Sequence, residues 1–251
     1  MKKYLLSTLA DGICVVLLSV CPILCYASAF SVKLEASVLI MAAVLFSIVF
    51  SLLSAFVKSN LKYALCMTVI AFVAFLVFVF ANERIFAQAN YAINKLLELY
   101  SVYLSVYSNI KFASYIANNA TGFFVLLSLI LNGLFSFLIS RIKSIKIAGL
   151  LSIALLVPCF VLVNTLPDLV PLLIIFTVLF ALYFSSQTRQ LNYAHSGVIT
   201  AVCAVILAVL ITVLAVINPV ADYERPKWQD NMLNTVQTLT GMKTYNGSGK
   251  I

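Results

Sequence analysis

Apolar positions in this chain fall in long unbroken runs, and the polar residues gather in the short gaps between them. The runs extend from Gly12 to Phe30, Ala36 to Val57, Tyr63 to Ala81, Gly122 to Ser140, Ile147 to Asn164, Leu169 to Phe184 and Gly197 to Ile217. Most come close to the ~20 residues that a helix needs to cross a bilayer's hydrocarbon core. None shows the strict alternation of a half-buried strand. The pattern predicts an all-α, polytopic membrane helical bundle of about seven transmembrane helices.

The gaps refine this outline. Between the second and third runs there is room only for a turn, so those helices should be antiparallel neighbours. The turn Thr165-Leu166-Pro167-Asp168 makes a hairpin of the fifth and sixth runs. Pro158 predicts a kink in its first arm, and Pro171 a helix start in its second. A polar patch, Ser185 to Gln190, separates the hairpin from the last run, which Asn218-Pro219 ends.

Residues 83–118 follow a different rule. Phe86, Ile93, Leu97, Tyr100, Leu104 and Tyr107 recur at helical spacing, and Asn94, Glu98, Ser101, Ser105 and Ser108 form a second such series. This is an amphipathic helix over about 84–117. Its tyrosines (Tyr91, Tyr100, Tyr103, Tyr107 and Tyr115) suit headgroup level, where a ring can be half wet. Such a helix lies on the membrane surface, caps the bundle, or offers a docking face to a soluble partner.

Composition agrees with the pattern. The chain of 251 residues is 63% hydrophobic and 10% charged, against about 25% charged in a soluble domain. That much apolar surface needs lipid as its solvent. The N-terminus has a basic start, an apolar stretch and the small residues Ala27-Ser28-Ala29, as a cleavable signal peptide would. A retained first helix is the simpler reading, because further spans follow it.

The net charge is +8, but the basic residues are scattered between apolar runs. No continuous basic face exists for a nucleic acid to follow. The scatter reads instead as a topology signal. With the N-terminus cytoplasmic, Lys2, Lys3, Lys58, Lys62, Arg141, Lys143, Lys146 and Arg189 fall inside, while Glu35, Glu83, Asp168, Asp222 and Glu224 fall outside with few basic residues, chiefly Lys33 and Arg84. A bias of Lys and Arg toward cytoplasmic loops sets orientation. Residues 1–217 are then the transmembrane domain, with the C-terminus extracytoplasmic. Residues 218–251 are a connector in which Pro219 and Pro226 break the helix, Tyr223 and Trp228 rest at the interface, and a short amphipathic helix forms at about 228–240.

The search for chemistry returns little. Asp11, at the cytoplasmic end of the first run, is the one carboxylate near a span and reads as a solvated end residue. Asn132 and Asn164 are polar amides suited to bonding across helices or to helix ends. The single histidine, His195, precedes the last span; its nearest cysteine in sequence, Cys203, lies roughly 12 Å up a helix, too far for a nucleophile pair. Cys21 and Cys25 share a helix face but have no His, Asp or Glu near them in sequence, so they read as packing residues, as do Cys14, Cys66 and Cys159. HExxH, Walker and GxGxxG patterns are absent. The triplets Asn119-Ala120-Thr121 and Asn246-Gly247-Ser248 match the glycosylation pattern and carry little weight at that length. No catalytic, cofactor-binding or metal-binding residue is assigned, and no cofactor.

Two stretches together resemble a known family. The hairpin LLVPCFVLVNTLPDLVPLLIIFTVLFALYFSSQTRQ, Leu155 to Gln190, and the last span with its exit NPVADYERPKWQDNMLNTVQTLTG resemble the N-terminal membrane region of bacterial transglutaminase-like membrane proteins. In that family the region leads into an extracytoplasmic domain with a Cys-His-Asp core, and no position here corresponds to that triad. The resemblance implies a multi-pass anchor in the plasma membrane for a transglutaminase- or protease-like domain outside this chain. The partners expected are the bilayer and that extracytoplasmic domain. The alternative is a small carrier or channel-like protein for a neutral or apolar substrate, which would need a polar cavity at mid-membrane. A third reading, an enzyme acting on lipid-linked glycans, would need interfacial ionisable residues.

Overall fold

Among the described residues all regular structure is helical, with no strand. The structure, a computed structural model, describes residues 2–57, 59–80, 82–104, 117–161, 167–190 and 209. Its helices are α1 (Lys2–Ala29), α2 (Ala36–Phe56), α3 (Asn60–Phe80), α4 (Asn82–Leu104), α5 (Thr121–Ser136), α6 (Ile145–Val161) and α7 (Leu169–Gln190). α5 continues as a π-helical turn, Phe137–Ile142. Four helices are long and apolar enough to span a bilayer (α1, α2, α3 and α5 with its π turn), and α6 and α7 carry shorter apolar stretches. The predicted span Gly197 to Ile217, the connector 218–251 with its helix at 228–240, and positions 105–116 of the amphipathic helix lie outside the described residues.

α1 is the hub. It packs against α2, α5, α6 and α7, and 56% of its apolar window is buried, against 6% for that of α3. Leu18 and Cys25 on α1, Phe30 in the turn after it, Leu39 on α2, Phe135 on α5 and Ile175 on α7 are fully covered. In lipid such burial is not driven by removal from water, since acyl chains are as apolar as leucine. Close packing and interhelical hydrogen bonds hold the helices together instead. The same reasoning explains the exposed Leu45 of α2 and the exposed Leu65, Phe72 and Phe75 of α3: lipid solvates them without penalty.

Small residues set the closest approaches. A Cβ at Gly12 would lie 3.4 Å from the hydroxyls of both Ser47 and Ser51, and Ser47 Oγ donates to Gly12 O at 3.0 Å. On α5, a Cβ at Gly133 would overlap Met67 Cε of α3 and come within 3.3 Å of Phe50 on α2. Gly133→Leu is therefore expected to lower the stability in detergent by about 1–3 kcal/mol through overpacking. Gly133→Ala should cost less, because Met67 can swing its terminal methyl away. An unchanged melting midpoint for the leucine variant would mean that α3 does not rest on α5 here.

Element boundaries depart from the expected ones in instructive ways. The first helix begins at Lys2, not Gly12, because nothing in KKYLLSTLAD breaks it. Its register places Gly12 level with Ser47 and Ser51, and Ser51 lies five residues above the end of α2, about 7.5 Å along the axis. Asp11 is half-buried and is the first residue of the apolar window of α1, at the end of the span as expected. The polar patch Ser185 to Gln190 continues α7; it lacks Gly and Pro, so its polarity marks an exit from lipid and not a helix end. Pro22 and Pro158 both lie inside helices, α1 and α6. Each removes one backbone bond, which neighbouring helices in a bundle tolerate. Pro171 sits in the first turn of α7, as expected.

α4 is the amphipathic helix, and it packs on α5 and α3. Its buried residues are the small Ala87, Ala89 and Ala92 with Asn90, whereas Phe86, Ile93 and Leu97 of the expected apolar stripe are only half-buried. At 100° per residue the buried four face more than half of the circumference. Small side chains let neighbours approach α4 closely, so that it caps the bundle.

Candidate functional site

Polar side chains among the described residues gather at the two ends of the bundle and at one point in its middle. The end carrying α4 is knitted by side chains that satisfy backbone groups left over at helix termini. Gln88 of α4 accepts from Phe123 N at 2.9 Å, capping the start of α5. A Cβ at Gly122 would sit 2.7 Å from that Gln88 oxygen, so the glycine makes the approach possible. Thr121 Oγ1 accepts from Glu35 N at 3.0 Å, Ala120 N donates to Lys33 O at 3.0 Å, and Tyr91 Oη of α4 accepts from Lys33 N at 3.4 Å. Ser28 Oγ accepts from Asp168 N at 2.9 Å, tying the hairpin turn to the end of α1. Ser31 supports that bend with a positive φ of 52°. Below it, Tyr26 packs against Phe30 and Phe124. The ends of α1, α2, α5 and α7 and the flank of α4 thereby become one platform, which carries Lys33, Glu35 and Asp168.

The opposite end is closed by one side chain. α2 finishes with no basic residue in its last turn and no glycine cap, so its last carbonyls need donors from elsewhere. Arg141, in the π turn after α5, supplies them: Nη2 donates to Ser54 O at 2.6 Å and to Val57 O. The guanidinium lies over the ring of Tyr63, 4.9 Å from its centroid, within cation–π range. Tyr63 is fully buried, stacks on Phe137 and shares a 3.0 Å hydrogen bond between its hydroxyl and that of Ser136. The π turn accounts for this aim, since an extra residue in the turn rotates the side chains beyond it. It closes through Lys143, whose φ of 55° is left-handed, with Lys143 N and Ser144 N both bonding Leu138 O. A lysine in that conformation costs on the order of 1 kcal/mol, which the bonds of Arg141 offset.

Between these ends, at the α1–α5 crossing, Asn132 is fully buried. Its Nδ2 donates to Ser19 Oγ at 2.8 Å and to Ser128 O at 2.9 Å, and Ser19 Oγ donates onward to Val16 O at 2.9 Å. Asn132 Oδ1 has no hydrogen-bond partner. Asn132, Ser19 and Ser128 all have 0% exposure, so no water-sized space adjoins them. Of the uses open to Asn132, the structure shows the bond across helices, from α5 to α1.

With the exception of Thr121, the other sequence candidates among the described residues stand apart from these clusters. Cys14, Cys21, Cys25, Cys66 and Cys159 are free thiols, with Cys21, Cys25 and Cys159 buried. No group of three or more His, Cys, Asp or Glu side chains among the described residues is placed to hold a metal ion. Thr121 of the triplet Asn119-Ala120-Thr121 is buried and its hydroxyl accepts from Glu35 N, a capping role. Asn164, His195, Cys203 and the triplet at Asn246 lie outside the described residues. Arg141 escapes sequence reasoning as a structural residue because a cation at a span end reads as topology; the signal available is an α2 terminus with no cap of its own.

What this arrangement does chemically is fasten helix ends to one another around a closed middle. No family model, curated protein or solved structure matches the chain.

Proposed function

We propose that this chain is a multi-pass scaffold of the plasma membrane of a bacterium, with its N-terminus cytoplasmic, which carries an extracytoplasmic transglutaminase- or protease-like domain lying outside residues 1–251. The observation that carries the reading is the cross-bonded platform. Four helix ends and the flank of α4 are locked together at one end of the bundle, where a rigid support for a domain would have to be built. Charge supports the orientation: Lys62, Arg141, Lys143 and Lys146 lie toward the other end, while Glu35 and Asp168 lie on the platform with Lys33, and Glu83 and Arg84 open α4. The carrier alternative gains nothing from Asn132, which is packed closed.

Two experiments test this. Alkaline phosphatase fused after Ile251 should be active and a fusion after Lys143 inactive; the reverse pattern rejects the orientation. The reading frame downstream of Ile251 should encode Cys, His and Asp in that order, and deletion of residues 84–104 should alter that domain's activity while membrane insertion persists. A stop codon directly after Ile251 removes the transglutaminase-like reading.

A further inference from the structure

A groove of about 210 Å³ opens between α2, α3 and α5, lined by Phe50, Met67, Thr68, Ala71, Ile130 and Leu134 among others, and almost wholly apolar. It is smaller than the ~300–1,000 Å³ of sites for drug-sized molecules, so it fits a flexible chain better than a ring system. Its position is informative. Met67 stands one turn above Tyr63 on the same face of α3, and Leu134 stands seven residues above Arg141 on α5, so the Arg141–Tyr63 pair forms its floor roughly 6–10 Å below. Around that floor the basic residues collect. Lys62 precedes Tyr63, Lys143 follows Arg141 by two residues, and both are exposed. Neither forms an ion pair among the described residues. Asp11 of α1, an acidic residue toward this end, is half-buried.

We propose that this groove holds an acyl chain of an anionic phospholipid whose headgroup phosphate rests against Lys62 and Lys143. An apolar slot a turn or two above paired cations matches the layout of such a lipid, with chains above and phosphate at the interface. Lysine stems reach along the apolar wall while their ammonium groups stay at headgroup level. Arg141 is held by the α2 carbonyls and Tyr63 and serves as the floor, not as the headgroup ligand. The inference rests on these helices spanning the membrane and is independent of which leaflet the basic end faces.

The test uses the full chain in a neutral detergent, with native mass spectrometry of retained dioleoyl phosphatidylglycerol against dioleoyl phosphatidylcholine. Phosphatidylglycerol should be retained about tenfold better. The double variant Lys62→Gln/Lys143→Gln should abolish that preference while still retaining both lipids weakly. Ala71→Trp, which fills the groove from its exposed side, should reduce retention of both. Variants are compared only where they melt with the parent; Ala71→Leu is the milder filler if the tryptophan does not. Glycerol 1-phosphate should fail to displace the lipid at matched concentration. Equal retention of the two lipids, a preference that survives in the double variant, or undiminished binding by the filled groove overturns the proposal. Displacement by glycerol phosphate as effective as by the lipid itself also overturns it, in favour of a site for soluble phosphate esters.

Discussion

Arg141→Ala is expected to destabilise the bundle by about 3 kcal/mol, a sum dominated by charge-assisted hydrogen bonds, with a smaller part from the ring contact. The alanine leaves Ser54 O and Val57 O at the end of α2 without the donors they now have, and removes the cation over Tyr63. It also strands Lys143 in a left-handed conformation whose cost was being offset. Arg141→Lys should recover less than half of the loss, because an ammonium on a flexible stem cannot reproduce the planar fork. Tyr63→Phe keeps the ring and its stacking on Phe137, gives up only the bond to Ser136, and should cost about 1 kcal/mol. Thermal unfolding in neutral detergent ranks the three, and trypsin cleavage after Lys62 should quicken in the alanine variant alone. If Arg141→Ala melts within about 0.5 kcal/mol of the parent, as an ordinary surface change does, the cap on α2 is dispensable.

The spans are legible in the sequence because lipid imposes one rule on every residue within it. Backbone groups must be satisfied inside each helix, so an apolar run of sufficient length is a helix whatever its neighbours do. Boundaries and interior contacts obey no such local rule. Asp11 is legible as the end residue of the first span, but its level beside the part of α2 that holds Ser47 and Ser51 follows only from the register of Gly12. α4 is recognisable from its periodicity, and its stripe of Phe86, Ile93 and Leu97 lies within the arc that the buried residues span, but the most deeply buried positions are the small ones. The buried alanines carry no signal in a pattern that weighs hydrophobic bulk, although close approach requires their smallness. Arg141 shows the same limit. Its charge counts toward orientation, while its bonds depend on a π turn that rotates it toward α2, and no spacing rule announces that turn. Asn132 is legible as a polar residue within a span. Its partner Ser19 is not, since nothing in the sequence aligns residues that far apart.

Asn132→Asp is expected to cost about 3 kcal/mol or more, although the two side chains are nearly the same size, because it places an unpaired charge in a dry interior. The exchanged oxygen would face Ser128 O and Ser19 Oγ, which now accept from Nδ2. Ser128 O has no proton to offer, and Ser19 has committed its own to Val16 O. Asn132→Leu should instead fall within about 1 kcal/mol of the parent, since interhelical polar bonds in membranes are worth little on balance. It also removes Oδ1, a buried acceptor that has no partner. The contrast between the two variants, read from unfolding in detergent, measures how dry the α1–α5 crossing is. A bundle that tolerates aspartate as well as leucine must admit water to mid-membrane, the condition a carrier needs and a scaffold does not. A large gap between the two places a closed interior beneath the platform, and leaves the helix ends as the part of this protein where partners can be met.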